Sequence, residues 1–277
     1  MTADEVPASP KRRRAASSTA TYPIAQASLP GDEIEAGSYL VRFARESSDL
    51  DALLRLRYEV FNLELGEGLD SSHLSGRDED ELDERFHHLL IVSRKTDEVV
   101  GTYRMQTGEM ARAGSGFYSD QEFDLSLLPD AVVADAVEIG RACVAREHRN
   151  GRVLHLLWRG LAAYLTWNRK RYLFGCCSVN SQDPEVGLSV HAHLETIDAV
   201  HRDVQVLPRP GYECRRVGPP AASPPAPHVP ALFQTYLALG AKACGPPAID
   251  RAFKTIDWLV MLDVGRIDPA THRTFFR

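Results

Sequence analysis

Hydrophobic and polar residues alternate from Tyr39 to Ala44, the period of a short strand with one face buried. His88–Ser93 and Val99–Gln106 flank the polar turn Arg94–Glu98, whose Thr96–Asp97 supplies turn chemistry, and together they predict an antiparallel hairpin. Two stretches carry helical spacing instead. Ser48 or Asp49 can cap a helix bearing Leu50, Leu53, Leu54, Arg57 and Phe61, and Val153, Leu156, Leu157, Leu161, Tyr164 and Leu165 mark a strongly amphipathic one. Val137–Val144 and Tyr172–Ser178 read as further strands, the second fully buried. Between Leu63 and Arg85 the periodicity breaks at Gly66, Gly68 and Gly76 and gives way to an acidic run, so this stretch is expected to be a long, partly ordered loop. Loops of that length in compact domains are often functional. Phe117–Leu128 is a separate apolar segment stopped by Pro129, and Pro219–Pro230 reads as an exposed polyproline connector to a last helix.

Composition sets the class. The chain has 277 residues, 44% of them hydrophobic and 25% charged, enough for one substantial core. The pattern predicts an α/β fold with two parts. Residues 1–36 are poor in large apolar groups and cannot offset the entropy of ordering, which makes them a disordered basic tail. Residues 37–277 form one domain, including a C-terminal extension from about residue 219. The net charge of −6 argues against a nucleic-acid partner, although Lys11–Arg14 and Arg169–Arg171 are local basic patches. Lys11–Arg14 could meet anionic lipid head groups, giving peripheral contact at the inner face of a membrane. No window is apolar enough to span a bilayer, and residues 1–36 lack the apolar core of a signal peptide. Cys143, Cys176, Cys177, Cys214 and Cys244 are odd in number and show no C-x-x-C spacing, so the expected home is the cytoplasm. His191 and His193 have no ligand set around them, and no metal is expected.

The candidate chemistry lies on the strand Val137–Val144. Strict alternation puts Glu138 and Gly140 on one side and Ile139, Arg141 and Cys143 on the other. A carboxylate and a guanidinium buried on one strand need partners. The basic turn Arg146–Arg152 and the amphipathic helix follow directly.

The order of elements, strand, helix, three strands, helix, strand, helix, resembles that of the GNAT acyltransferases. Several spaced motifs narrow the resemblance: Arg57–Tyr58–Glu59–Val60–Phe61, Asp80 and Asp83, Gly101–Thr102–Tyr103–Arg104, Phe117–Tyr118–Ser119, Glu122–Phe123, Glu138–Ile139–Gly140–Arg141, Leu157–Trp158 and Leu173–Phe174–Gly175–Cys176. Tyr236–Leu237, Leu239–Gly240–Ala241, Pro247–Ala248–Ile249–Asp250, Phe253 and Thr255–Ile256–Asp257 add to it. From about Tyr39 to Asp263 the chain resembles the ornithine-acyl carrier protein N-acyltransferases, also labelled hemolysin-like. More distantly it is similar to the autoinducer synthases, which share the Arg, paired acidic, Arg and Glu-x-x-Arg landmarks.

The resemblance implies a GNAT-like fold, a central mixed but mostly antiparallel sheet flanked by helices, with a C-terminal helical and strand extension. It implies transfer of a 3-hydroxyacyl chain from acyl carrier protein to the α-amine of L-ornithine, the first step of ornithine lipid biosynthesis. Glycine or lysine as acceptor, an autoinducer-type synthase, and a non-catalytic membrane-surface binding protein remain open beside it. No permanently bound cofactor is implied; the donor is the acyl-phosphopantetheine arm of acyl carrier protein. In coenzyme A users of the fold a Gly-rich turn cradles the pyrophosphate. Here Arg152 and Leu154 stand where those glycines would be, which favours an arm with one phosphate, held by Arg149 or Arg152 at the helix N-terminus beside the main chain of Val144. Arg146, Arg149, Arg152, Arg159, Arg169, Lys170 and Arg171 could form a face for the acidic carrier protein.

Amide formation needs a proton acceptor and an oxyanion partner. Glu138 is the candidate base, with a salt bridge to Arg104 or Arg141 as its competing role, and main-chain N–H groups near Cys143–Ala145 are the oxyanion candidates. Arg104 or Arg141 could take the acceptor's carboxylate, and Asp80 and Asp83 could attract its cation, with Arg57 organising the acidic loop. Cys143, with no matched His, reads as a packed thiol. The strands of Glu138 and Tyr172–Ser178 are expected to splay, and Phe117, Phe123, Trp158 and Phe174 could line the acyl slot.

Overall fold

The computed structural model describes residues 22–216, 218 and 226–276. Its strands are β1 (Ile34–Ala36), β2 (Tyr39–Phe43), β3 (His87–Ser93), β4 (Val99–Thr107), β5 (Ala136–Val144), β6 (Tyr172–Val179), β7 (Lys242–Ala243), β8 (Ala248–Asp250) and β9 (Thr255–Asp263). The helices are α1 (Ser47–Tyr58), α2 (Ser72–Ser75), α3 (Gly108–Ala113), α4 (Asp130–Ala134), α5 (Arg152–Asn168), α6 (Pro184–Thr196), α7 (Ala231–Ala238) and α8 (Pro269–Phe275). One sheet of order β1-β2-β3-β4-β5-β6-β9-β7 runs through the molecule, with β8 also on β9. Every pairing is antiparallel except β5 with β6, which α5 connects as a crossover.

The two sheet faces are covered differently. Val153, Leu156, Leu157, Leu161 and Tyr164 of α5 pack on Val41, Phe43, Leu89, Tyr103 and Met105, the apolar stripe that the helical spacing predicted. On the other face Leu53 and Leu54 of α1 meet Leu90 and Val92. The α1 helix starts at Ser47 rather than after Ser48 or Asp49, because Asp49 is used elsewhere: it pairs with Arg42 and accepts the Arg45 N–H. The chain then continues in a wider π-turn over Glu59–Glu64. Such turns recur at functional sites.

Residues 22–36, read from composition as part of a disordered tail, are packed. Leu29 is buried, β1 pairs with β2, and the carbonyls of Ile24, Ala27 and Ser28 accept from His87, Trp167 and Asn168. Side chains far along the chain satisfy this segment, which local composition cannot reveal. Residues 1–21, with the Lys11–Arg14 run, lie outside the described residues, as do 219–225 of the proline-rich stretch. The C-terminal extension joins the same sheet, since β9 pairs with β6 along eight residues from Tyr172↔Asp263 to Val179↔Ile256.

The β5–β6 pair holds only over Ala136↔Tyr172, Val137↔Leu173 and Glu138↔Phe174, and then the strands part. At the parting point a Cβ on Gly175 would collide with the main-chain oxygen of Ile139. Gly175→Ala is therefore expected to lower stability by about 1–3 kcal/mol, the usual cost of overpacking. Chemical denaturation would read it; an unchanged midpoint would mean the two strands can separate freely there.

Candidate functional site

On the α1 side of the sheet three arginines and three aspartates form a buried network. The Arg57 guanidinium, on α1, donates to Asp78 Oδ1 at 2.5 and 2.8 Å and to Asp83 Oδ1 at 2.6 Å. Arg104 Nη1, on β4, donates to Asp80 Oδ2 at 2.7 Å and to Asp83 Oδ1 at 3.0 Å. Arg57, Asp78, Asp83 and Arg104 are all at most 2% exposed. The acidic loop is thus strapped to α1 and β4 by bidentate, charge-assisted bonds. Burial alone would raise the Asp83 carboxyl, but Arg57 and Arg104 outweigh it and hold the group far below the usual carboxylate range. Arg57 holds the acidic loop through Asp78 and Asp83, and Asp83, bonded to two arginines, has no charge to spare for a substrate cation.

Arg141 departs from strict alternation. Gly140 pairs with Arg104 and Cys143 with Thr102, so Arg141 and Ala142 together oppose Tyr103 in a β-bulge. Arg141 takes a left-handed backbone, φ 49°, a strained conformation for a side chain of this size. The extra residue shifts the parity of the strand. Arg141 therefore turns to the face of Arg104, with Nε 3.5 Å from Asp78 and Nη2 3.6 Å from Asp80, and Cys143 packs with Leu56, Val60 and Phe61. Ile139 alone keeps the α5 side. The Arg104 and Arg141 guanidinium groups lie 4.9 and 5.0 Å from the centre of the Tyr118 ring, and Arg141 also lies 4.1 Å from that of Phe253. Cys143 is the packed thiol expected, its pKa pushed up to about 12 chiefly by burial.

Glu138 pairs with neither arginine. Its Oε1 accepts the Ser119 N–H at 2.7 Å, and its Oε2 accepts the Tyr118 N–H at 2.9 Å and the Gln106 amide at 2.8 Å. Both oxygens are committed to holding the 117–121 loop.

A cavity of about 330 Å³ passes through the gap between β5 and β6. Ile139, Gly140, Arg141 and Ala142 border it on one strand and Gly175–Ser178 on the other. Its far end is apolar, lined by Leu232, Phe233, Tyr236, Val260 and Leu262. Of the aromatic residues expected in an acyl slot, Phe174 lines the cavity; Phe117, Phe123 and Trp158 belong to the surrounding core. The near end is charged, with Glu67, Arg104, Glu122, Arg141, Asp250 and Asp257. A smaller cavity of about 200 Å³ adjoins it and includes Asp80. Glu67, half-buried, has its pKa raised to about 7, by burial first and by Asp257 second.

The expected donor residues meet only in part. Arg149 Nε donates to the Val144 carbonyl at 3.0 Å, while its other nitrogens grip Glu64 at 2.5 and 2.7 Å. Arg152 turns away to the Ala36 carbonyl, and the Ala145 N–H, an expected oxyanion donor, is taken by Val100. Of the seven basic residues proposed as a docking face, Arg149, Lys170 and Arg171 already hold carboxylates, and Arg146, Arg159 and Arg169 form no ion pair among the described residues. Sequence reading gave no role to Glu67, Glu122, Asp250 or Asp257. The available signal was an aspartate inside each of two otherwise apolar strands, Ala248–Asp250 and Thr255–Asp263.

Removing one partner of a buried ion pair leaves the other uncompensated, so Arg57→Leu is expected to cost about 3–5 kcal/mol in chemical denaturation. Asp83 has a depressed native pKa, so its stabilisation is present above the unfolded value near 3.9 and fades as pH falls below it. In Arg57→Leu burial is less opposed and the acid loss should begin at higher pH. Superimposable acid unfolding curves would show that Arg57 does not hold Asp83 ionised.

An acetyltransferase (GNAT) domain matches residues 56–159, which run from the end of α1 through the acidic loop and β3 to β5 to the first half of α5. The chain is 32% identical to the L-ornithine N(alpha)-acyltransferase of Agrobacterium fabrum over 83% of both chains. With that of Rhodobacter capsulatus it shares 32% identity over 86% of this chain and 95% of the relative. Among solved structures it is similar to the AHL synthase LasI, at 14% identity and a TM-score of 0.48, covering 86% of this chain and 94% of the other. With the sequence matches extending over nearly the full length of the relatives, the chain belongs to the L-ornithine N(alpha)-acyltransferase family and carries a GNAT-like fold.

Proposed function

We propose that the protein transfers a 3-hydroxyacyl chain from the phosphopantetheine thioester of acyl carrier protein to the α-amine of L-ornithine. The observation that carries this reading is the cavity across the sheet, apolar at one end and charged at the other. An acyl chain suits the apolar end, and a diamino acid suits the end that holds Arg141 with four carboxylates. Where β5 and β6 part, their facing edges no longer pair with each other, and an extended arm bearing amides is a fitting third strand. Arg146, Arg159 and Arg169 are the cations left to meet an acidic carrier protein. The product, an N-acylated ornithine, is a one-chain amphiphile and would be the lyso form of an ornithine lipid made at the inner membrane face. No described helix is long and apolar enough to cross a membrane.

In the reaction the neutral α-amine attacks the thioester carbonyl, a C–N bond forms, and the C–S bond breaks. The amine's proton passes to Glu67, whose raised pKa leaves it able to accept a proton near neutrality, and the departing thiolate takes a proton to leave as the phosphopantetheine thiol. Arg141 and Ala142, the two residues of the bulge, both line the cavity, and their main-chain N–H groups are the candidates for the oxyanion. Glu138 acts as a positioning residue, through Tyr118, rather than as the base.

Purified protein incubated with 3-hydroxyacyl carrier protein or acyl-coenzyme A and a mixture of amino acids, followed by mass spectrometry, tests the whole reading. Acylated ornithine from the carrier protein alone is the expected result; another acylated amino acid, or equal use of coenzyme A, would correct the acceptor or the donor. In the same assay Glu67→Gln should lower kcat/KM by roughly 10²- to 10⁴-fold, the usual contribution of a general base. The base works as a carboxylate, so the wild-type rate should fall as pH drops through about 7. An acidic limb that persists unchanged in Glu67→Gln would place the proton acceptor elsewhere.

A further inference from the structure

Three buried carboxylates outside the arginine network converge at the cavity. Glu122 comes from the loop between α3 and α4, Asp250 ends β8, and Asp257 lies on β9 opposite Ser178, with oxygens of all three within 4.8 Å of one another. Asp250 is anchored by the N–H groups of Ala252 and Phe253, and Asp257 Oδ2 accepts from the Thr255 hydroxyl. Glu122 Oε2 and Asp257 Oδ1 are different. Their residues are 2% and 3% exposed, yet neither oxygen has a hydrogen-bond donor from another group among the described residues. Burial first, and then Asp257 and Asp250, raises Glu122 well above the ordinary carboxyl value; burial raises Asp257 as well. Held this close, the carboxylates repel one another unless a proton or a cation lies between them.

A group outside this cluster points to what that cation is. The Arg141 side chain is 8% exposed and stands more than 3.4 Å from either of its carboxylate neighbours, and its Nε has no hydrogen-bond partner. Arg141, Glu122 and Asp250 line both the main and the smaller cavity, so they wall the passage between the two. One side of the passage offers an under-paired guanidinium and the other an under-paired set of carboxylates. This is the charge pattern that complements an amino acid with a cationic side chain.

We propose that Glu122, Asp250 and Asp257 form the subsite for the acceptor's side-chain ammonium, with Arg141 receiving its carboxylate. The inference rests on the acylation of ornithine proposed above and adds the residues that choose a diamino acid. A pocket of carboxylates stabilises the charged form of an amine. It therefore suits the spectator ammonium and not the reacting amine, which must be neutral to attack. Asp80 and Asp83, expected from the sequence to attract this cation, are instead neutralised by Arg57 and Arg104.

Glu122→Gln and Asp257→Asn keep the shape and remove a charge. They would be assayed with ornithine and with 2-aminopentanoate, which has the same carbon chain without the terminal amine. The KM for ornithine should rise about 10- to 100-fold in each variant, the loss of one charged contact, while the KM of the acyl donor and kcat/KM for 2-aminopentanoate stay within about twofold. An equal fall for both acceptors would overturn the subsite and give these residues a general catalytic or structural role. If wild-type protein acylates no ornithine, the reading of the reaction fails first, and calorimetric binding still decides the subsite. Ornithine should then bind more tightly than 2-aminopentanoate, with the difference lost in Glu122→Gln, and equal binding would reject the proposal. Thermal melts with Mg²⁺, Ca²⁺ or Mn²⁺ alone complete the test: stabilisation by a metal and none by ornithine would make the cluster a metal centre instead.

Discussion

The site depends on a parallel strand pair that stops after three residues. β5 remains paired with β4 and β6 with β9, so each strand is held from its outer side while the inner edges diverge. A gap through a sheet normally leaves unpaired backbone groups in the interior, and such groups are costly unless something binds them. Here the gap is the cavity itself. The bulge at Arg141 acts at the same place, turning one strand's main chain and one guanidinium toward the opening.

Buried charge serves two separate purposes around this opening. Asp78, Asp80 and Asp83 are balanced by Arg57 and Arg104, with Arg141 at the margin, and their bonds fix the long acidic loop against α1 and β4. Such a network is mechanical: Arg57 and Arg104 each hold two carboxylates of the loop. Glu67, Glu122 and Asp257 lie on the cavity wall without a close counter-charge, and burial raises the pKa of each. An unbalanced buried carboxylate persists against its desolvation cost where a ligand or a proton transfer uses it. The contrast separates scaffold from chemistry more sharply than residue type does.

Residue type and spacing did not reveal several of the contacts that the tertiary structure makes. Glu138 is an acid on the central strand, yet two hydrogen bonds commit it to the 117–121 loop and a third to Gln106. Arg152 begins the helix that faces the expected donor, yet it reaches back to the β1–β2 hairpin. The N-terminal stretch from Tyr22 to Ala36 has a disordered composition and is ordered by the adjoining β2 and by α5, which is distant in sequence.

What the sequence determined by itself follows from local periodicity and from motifs. The alternation over β2, the β3–β4 hairpin, the α5 stripe and the Arg57, Arg104 and Glu138 landmarks were legible because each depends on neighbours a few residues away. The tertiary structure decided which face Arg141 occupies, since one inserted residue in the β4–β5 register reverses the parity that alternation assumes. It also brought Glu67, Glu122, Asp250 and Asp257 to one cavity from two loops and two strands. The neutralised carboxylates meet their arginines 21 to 26 residues away, and the unbalanced ones are gathered from Glu67 to Asp257, so no local pattern encodes either set.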